Sequence, residues 1–260
     1  MATLLLEGFD LVATLDDAGT EIAGADVLVS GSVIARVGVG LRTGLAAAGA
    51  PPPDRVINCR GLVALPGLIN AHQHLYQGAA RAVPSLERAL IGPWLAGLGG
   101  LVRGWYEAGS FGPDVVWAVA RSVLAESVLG GQTTVADQHY FHPAGVTLPY
   151  VEATIAAAAD IGIRLHACRG SLTLGTDPRM VQEVDEVVRH AAALVEAHHD
   201  PSVGSMVRVA FAPCGVHADR PELFDELAQL ATTFDGVRLH THLYEKVDAA
   251  ACQDRYGTTP

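Results

Sequence analysis

The 260-residue sequence predicts an α/β fold, a (β/α)8 barrel of the TIM type of which about five βα units are present. Apolar strand-like segments alternate with helical patterns at the spacing of parallel βαβ units. The strands are nearly continuous in apolar residues, as expected when both faces of a sheet are covered. Histidines and acids gather at the carboxyl ends of the strands, where barrel enzymes carry their functional groups. This last observation favours a barrel over an open doubly wound sheet, which five units would also fit.

Residues 1–60 are predicted to form a small β domain ahead of the barrel. Three segments are rich in β-branched residues and punctuated by Gly and Asp: TLLLEGFDLVATLD, GADVLVSGSVIARVG and RVINCRGLVALPG. The Ala/Gly/Pro run over residues 44–53 is predicted to be a loop. The alternation of strands and helices begins at about residue 61, so the sequence predicts domains over 1–60 and 61–260.

The barrel elements follow in order from this boundary. Strands are predicted near Ile69, Val135, Leu165, Val209 and Leu239. Helices are predicted over residues 111–132, 149–162, 177–199 and 220–236, and another begins in the last residues. The segment GLGGLVRG (97–104) is rich in glycine but follows no strand, so it is a poor candidate for a phosphate-binding loop.

Composition and charge exclude several classes of function. Acidic residues outnumber basic ones by 28 to 17, for a formal charge of −11 with no basic patch, so no nucleic-acid partner is expected. No stretch of 18 apolar residues occurs, and the first residues lack the basic start of a secretory signal, so no membrane partner is expected. Four cysteines lie far apart without a C-x-x-C motif, which indicates reduced thiols in a cytoplasmic protein. A homo-oligomer is left open.

The first predicted strand ends in an H-x-H motif. Residues i and i+2 of a strand point to the same face, so His72 and His74 share a face and Gln73 turns away. Two neutral imidazoles at this spacing can bind one metal ion. An isolated H-x-H is a weak signal, and a polar pair in a loop is the structural alternative.

A second H-x-H strengthens the metal hypothesis. LHTHLYE ends the fifth predicted strand, and either His240 or His242 can supply a third ligand there. Glu245 lies three residues after His242, in reach of a metal-bound water. A carboxylate beside such a water is the general base that metal-assisted hydrolysis needs, and base deaminases of the zinc type use a non-ligand Glu in this way.

These motifs resemble the amidohydrolase superfamily. LPGLINAHQHLYQGAARAVPSLER and LHTHLYE carry the likeness, together with GPWL, FGPDVV, GGQTTVADQH, PCGV, RPELF and YGTTP. HQHLYQGAARAVP and TTVADQH are most similar to the subgroup of triazine hydrolases and 8-oxoguanine deaminases. The resemblance extends from the first barrel strand to the last residue.

The resemblance implies a set of site residues. His72 and His74 match the metal ligands of strand one, and His242 matches the ligand of strand five. Glu245 matches the acid that moves protons, and Gln77 matches a glutamine near the substrate. The implied cofactor is one divalent metal, zinc in most members and iron in some. His240 has no counterpart among the ligands and is interpreted as structural.

The implied reaction is hydrolysis at an aromatic nitrogen heterocycle. A metal-activated water would replace an amino, alkylamino or chloro substituent on a purine, pyrimidine or s-triazine, which makes a small heteroaromatic molecule the expected partner. Trp94 could stack on such a ring or pack in the core. A cyclic-amide hydrolase of the same superfamily is an alternative, but MVRVAFAP lacks the strand-four lysine that those enzymes often carboxylate.

The resemblance also implies a longer protein. Members of the superfamily build a small β-sandwich from both chain termini, and they take a further histidine from strand six and an aspartate from strand eight. About 200 residues follow residue 60, whereas a whole barrel takes roughly 250. We therefore expect an incomplete barrel, inactive in isolation. A non-catalytic scaffold that has kept the fold is the alternative.

The remaining polar residues are expected to be structural. His139 and His142 are interpreted as hydrogen-bonding or pocket-lining, Asp137 as an orienting acid at a strand end, and His166 as a packing residue. The thiol of Cys214 has no neighbouring base in the sequence that would make it a nucleophile. Three histidines on the predicted helix 177–199 are interpreted as solvated: His190, His198 and His199.

Overall fold

The computed structural model describes residues 2–245 and 247–260, and the chain divides into two units, Met1–Gly67 and Leu68–Pro260. The first unit contains seven strands and a helix: β1 (Thr3–Glu7), β2 (Leu11–Ala13), β3 (Glu21–Ala23), β4 (Asp26–Ser30), β5 (Val33–Gly38), α1 (Leu41–Ala47), β6 (Arg55–Asn58) and β7 (Val63–Ala64). They form a four-stranded sheet of order β5-β4-β1-β6 and a three-stranded sheet of order β3-β2-β7. Val27 of β4 and Val12 of β2 belong to one buried cluster, so the two sheets share a core.

Helix α1 occupies part of the predicted loop over residues 44–53, so that prediction was wrong for residues 44–47. Leu41 is buried against Leu5 and Leu28 in a separate small cluster. One oxygen of the Asp26 carboxylate accepts the backbone N–H of Leu41 at 2.8 Å, and the other accepts that of Gly8 at 2.8 Å. A carboxylate at the first turn stabilises a helix even in a sequence as rich in Ala and Gly as this one.

The second unit contains five strands, a 3-10 helix and six α-helices among the described residues. The strands are β8 (Leu68–Gln73), β9 (Gln132–His139), β10 (Arg164–Ser171), β11 (Val207–Pro213) and β12 (Arg238–Leu239). The helices are the 3-10 helix Leu75–Ala80, α2 (Ile91–Glu107), α3 (Pro113–Leu129), α4 (Tyr150–Ile161), α5 (Val184–His198), α6 (Pro221–Ala231) and α7 (Asp248–Tyr256).

The five strands form one parallel sheet in chain order, β8-β9-β10-β11-β12. Val135, Leu165 and Val209 lie on a face that α3, α4, α5 and α6 cover, and all three are buried. The opposite face carries small buried residues, namely Ala136, Cys168, Ala210 and Ala212. Consecutive parallel strands with helices on one face are the arrangement of a (β/α)8 barrel. The α/β class and the positions of the five predicted strands are confirmed.

Residues 97–104, a poor candidate for a phosphate-binding loop by sequence, lie inside helix α2, where Leu98 and Val102 are buried and Gly97 allows close packing, since a Cβ there would lie 2.8 Å from Leu86. Another segment differs from the prediction. Residues 177–183, predicted as helix, precede α5 instead. Asp177 binds the backbone and guanidinium of Arg179, and Gln182 donates its backbone N–H to Leu172. These bonds replace the first two turns of the predicted helix.

The last strand is shorter than predicted. Of residues 237–245, only Arg238 and Leu239 pair with β11 as a strand. The chain keeps contact with the sheet through a bridge between His242 and Gly215. None of the helices among the described residues has the length and apolar character needed to cross a membrane.

Candidate active site

Three histidines meet at the carboxyl ends of β8 and β12. His72 lies in β8 and His74 follows it, whereas His242 arrives from a segment 168 residues later. One nitrogen of each imidazole can be chosen so that all three lie within 4.8 Å of one another. The ring centroids are 4.6–5.0 Å apart. The three predicted ligands therefore converge, and we call them the His triad.

Backbone carbonyls fix the orientation of two rings of the triad. Nδ1 of His74 donates to the carbonyl of Gln138 at 2.6 Å, and Nδ1 of His242 donates to the carbonyl of Cys214 at 2.5 Å. A carbonyl can only accept, so the proton of each neutral ring is on Nδ1 and the lone pair is on Nε2. The two Nε2 atoms are 3.0 Å apart. Bonds of this kind behind metal-binding histidines set the tautomer and the ring direction.

The electrostatics of the triad favour neutral rings. The pKa of His72 is lowered to about 4 and that of His74 to about 3, chiefly by loss of hydration and in smaller part by the neighbouring imidazoles. The negative charge of Glu245 opposes this effect and raises the pKa of His72. Two facing lone pairs without a proton between them repel each other. A divalent cation would remove the repulsion, so this donor set fits a metal of the zinc type.

His240 contacts the triad from the side. Its Nε2 lies 2.7 Å from Nδ1 of His72, and the two rings are nearly parallel with an interplanar angle of 7°. The backbone N–H of His240 donates to Phe211 of β11, which fixes its place. His240 thus orients a triad member, in keeping with its structural interpretation.

Two other strand-end residues hold the site together. Asp137 is buried, and it accepts the backbone N–H of Leu75 at 2.7 Å, directly after His74. Burial raises the pKa of Asp137 to about 7. Cys214 presents its carbonyl to His242, while burial raises the pKa of its thiol. A buried thiol with a raised pKa is a poor nucleophile.

The predicted substrate residues line a cavity beside the triad. Gln77, Trp94 and His74 contribute to its wall, and its volume is about 360 Å³. The amide of Gln77 donates to the hydroxyl of Tyr140 at 2.9 Å, which fixes the amide plane. The ring of Tyr140 packs edge-on against His74, with centroids 5.0 Å apart. A volume of this size accommodates a small ring compound.

Glu245 belongs to a group of three polar residues. Its Oε2 lies 3.8 Å from Nε2 of His217, whose Nδ1 lies 2.8 Å from Asp248. Neither His217 nor Asp248 belongs to a motif that would have identified it from the sequence. Proximity between the loop after β11 and the start of α7 is a tertiary feature that no local motif reports.

Several histidines lie elsewhere. His139, His142, Arg169 and His190 form a buried group between the sheet and α5, which we call the buried polar cluster. Nε atoms of His139 and His142 donate to backbone carbonyls, as predicted for residues outside the metal site. The expectation that His190 is solvated was wrong, because Nδ1 accepts a hydrogen bond from Arg169 at 3.3 Å. His166 lies near the start of β10 rather than at its carboxyl end.

Two curated proteins are similar to nearly the whole chain. Hydroxydechloroatrazine ethylaminohydrolase of Pseudomonas sp. (strain ADP) is 35% identical, over 99% of this chain and 54% of that protein. 8-Oxoguanine deaminase of Pseudomonas aeruginosa is 30% identical, over 92% of this chain and 52% of that protein. The chain spans about half the length of these relatives.

A solved structure and a family model agree with the curated relatives. The structure is a mutant of atrazine chlorohydrolase from Arthrobacter aurescens TC1, complexed with zinc and atraton. It is 48% identical with a TM-score of 0.91, over 99% of this chain and 56% of that chain. The model of the amidohydrolase family matches residues 63–259. With this match, which begins just before β8 and ends one residue before Pro260, the chain belongs to the amidohydrolase family.

Proposed function

We propose that this chain is the metal-binding part of a hydrolase acting on aromatic nitrogen heterocycles. The reaction replaces an amino, alkylamino or chloro substituent on a purine, pyrimidine or s-triazine ring with oxygen from water. The observation that carries the proposal is the convergence of the His triad within 4.8 Å beside a cavity of about 360 Å³. The activities of the two curated relatives, on atrazine-derived and purine rings, support the substrate class.

His72, His74 and His242 would hold one divalent ion, with zinc as the first choice and iron as the second. Their neutral imidazoles are the nitrogen donors that zinc accepts in catalytic sites. Such an ion, when bound, lowers the pKa of a coordinated water to roughly 7 and so supplies hydroxide at neutral pH. The absence of a lysine from β11 favours a single-metal site over the carboxylated-lysine site of cyclic-amide hydrolases.

Glu245 is the proton carrier in this proposal. Its carboxylate takes the proton of the attacking water and delivers it to a ring nitrogen, while the water oxygen bonds to the ring carbon. The second proton of the water leaves with the departing group, so that ammonia, an amine or chloride with a proton is released and a carbonyl remains on the ring. Gln77 can hydrogen-bond to ring nitrogens through its fixed amide, and Trp94 can stack on the ring face.

In this proposal the chain is part of a longer, cytoplasmic protein. Residues 1–60 would belong to a small β-sandwich domain and 61–260 to the barrel. Further strands would close the cylinder beyond β12 and could add a histidine and an aspartate to the site. The span of about half the length of the curated relatives supports this reading. A homo-oligomer is compatible with it.

Metal analysis combined with a substrate screen tests the proposal against the scaffold alternative. We expect the full-length protein to bind one equivalent of zinc or iron and to hydrolyse at least one of atrazine, its amino derivatives and 8-oxoguanine. Glu245→Gln keeps the carbonyl oxygen but cannot carry a proton, so it should retain the metal and lose turnover. A wild-type protein that binds no metal would support the alternative of a non-catalytic scaffold. Full activity in Glu245→Gln removes that residue from its role.

A further inference from the structure

Asp248, the first residue of α7, joins two loops of the site through one carboxylate. The residue is fully buried. Oδ1 lies 2.8 Å from Nδ1 of His217 in the loop after β11, and Oδ2 accepts the backbone N–H of Glu245 at 2.8 Å. Each oxygen serves a different segment, so the carboxylate fixes the position of Glu245 relative to His217.

This contact also orients the ring of His217. Because a carboxylate accepts hydrogen bonds, His217 donates through Nδ1 and its Nε2 points away from Asp248. Nε2 then lies 3.8 Å from Oε2 of Glu245. The distance exceeds that of a direct hydrogen bond and a small rotation closes it. The bond then needs one proton between the two atoms, carried either by Nε2 of a doubly protonated ring or by the carboxyl of Glu245. Both side chains keep some exposure, 21% for His217 and 28% for Glu245, so they reach the open part of the site.

The loop that carries His217 is fixed at further points. Oδ2 of Asp219 accepts the backbone N–H of Cys214 at 2.5 Å. Arg255 of α7 donates to the carbonyls of Val216 and Asp219. The same helix that provides Asp248 therefore holds this loop a second time.

The residue before Glu245 has a strained backbone conformation. Tyr244 has a φ of +71° and a side chain that is 79% exposed. A bulky residue in the left-handed region is strained, and such a conformation persists only where neighbouring contacts impose it. The bond from Asp248 to the backbone of Glu245 is such a contact.

We propose that His217 and Asp248 are positioning residues for the carboxylate of Glu245, an inference that rests on the proposed role of Glu245 as proton carrier. Asp248 fixes the backbone at Glu245 and orients His217, and Nε2 of His217 restricts the carboxylate to one rotamer. A proton carrier must lie within hydrogen-bond reach of both atoms that it serves. Restricting its rotamers therefore raises turnover while substrate binding stays the same.

Two replacements of His217 separate its two contacts. Asn places an amide near the position of Nδ1, so it can still donate to Asp248 but has nothing to offer Glu245. Gln places its amide near the position of Nε2 and keeps the contact with Glu245 instead. In the full-length zinc-loaded protein, with atrazine or 8-oxoguanine as the probe, we expect kcat to fall about 10–100-fold in His217→Asn, as for other supporting residues. The fall should be smaller in His217→Gln, with KM and zinc content unchanged in both.

Crystal structures of the same zinc-loaded variants provide a readout that does not depend on turnover. The wild type should show one Glu245 rotamer next to His217, and both His217→Asn and Asp248→Asn should show several. His198→Asn, on the partly exposed end of α5, is the matched control and should change neither the rotamer nor kcat. An unchanged kcat in His217→Asn, or a single unchanged rotamer in both site variants, overturns the inference. If the wild type hydrolyses neither probe, the proposed function fails, and the crystal structures still decide whether His217 and Asp248 position Glu245.

Discussion

The His triad and the buried polar cluster use the same residue type in opposite ways. In the triad, backbone carbonyls accept hydrogen bonds from Nδ1 of His74 and His242, and the lone pairs on the two Nε2 atoms face each other 3.0 Å apart. In the cluster, His142 donates to the carbonyl of His139, and His190 accepts from Arg169. Burial lowers the pKa of the histidines in both places. Neutral imidazoles alone therefore do not make a metal site, because their lone pairs must also be aimed at one point.

Removing a triad ligand should have the largest effect. His74→Ala deletes one of three nitrogen donors, so the full-length protein should lose its zinc and its turnover by more than the roughly 10–100-fold that an outer partner costs. Metal analysis by mass spectrometry and an assay with atrazine or 8-oxoguanine measure this. His142→Asn in the buried polar cluster is the control and should keep one equivalent of metal. A full equivalent of zinc in His74→Ala would contradict the assignment.

Removing the cation of the buried polar cluster should affect stability instead. Arg169 is 1% exposed, and it donates to the carbonyl of Gly170 at 2.6 Å and to Gln182 at 3.2 Å. Arg169→Ala leaves those acceptors buried without a donor and opens a cavity, so the free energy of unfolding should fall by about 3 kcal/mol. Urea unfolding measures the loss. The zinc content of Arg169→Ala should stay at the wild-type value. A lower zinc content at unchanged stability would show that the buried polar cluster is not independent of the His triad.

The sequence predicted the triad better than the buried polar cluster for a physical reason. H-x-H fixes two ligands on one face through local strand geometry, and LHTHLYE repeats the pattern at another strand end. His190 was predicted to be solvated because it lies on a helix, whereas its partner, Arg169, lies on β10. His217 likewise acquires its neighbours only when the loop after β11 meets α7. Long-range polar contacts of this kind leave no periodic signature.

The secondary structure likewise divides into elements that the local sequence predicts and elements that depend on long-range packing. The five strands were predictable because apolar segments bounded by polar residues identify parallel strands locally. Helix α2 was not, since four glycines within residues 97–104 conceal a pattern that depends on packing against Leu86 and neighbouring apolar residues. The start of α5 was placed too early because the bonds of Asp177 to Arg179 compete with helix formation.

Asp137 supports the strand end beside the His triad, and its titration should appear in the stability of the protein. Burial raises its folded-state pKa from 3.8 to about 7. Between these values the folded protein keeps a proton that the unfolded chain has lost, so stability decreases as the pH rises. The decrease from pH 5 to pH 7 should be about 2 kcal/mol. Asp137→Asn can still accept the N–H of Leu75 and does not titrate. Unfolding measured at several pH values should therefore show a wild-type stability that declines relative to Asp137→Asn, and parallel curves would exclude the shift.

The smallest expected effect is on zinc affinity, and it tests whether His240 belongs to the ligand set. Nε2 of His240 lies 2.7 Å from Nδ1 of His72, and in the proposed site it orients that ring without being a ligand itself. His240→Ala should then weaken zinc binding by only about tenfold, as loss of a partner behind a ligand does. Competition with a chromophoric chelator measures the dissociation constant. His166→Ala is the matched control, since that ring lies near the amino end of β10 and has no contact with the triad among the described residues. A loss as complete as that of His74→Ala would make His240 a fourth ligand.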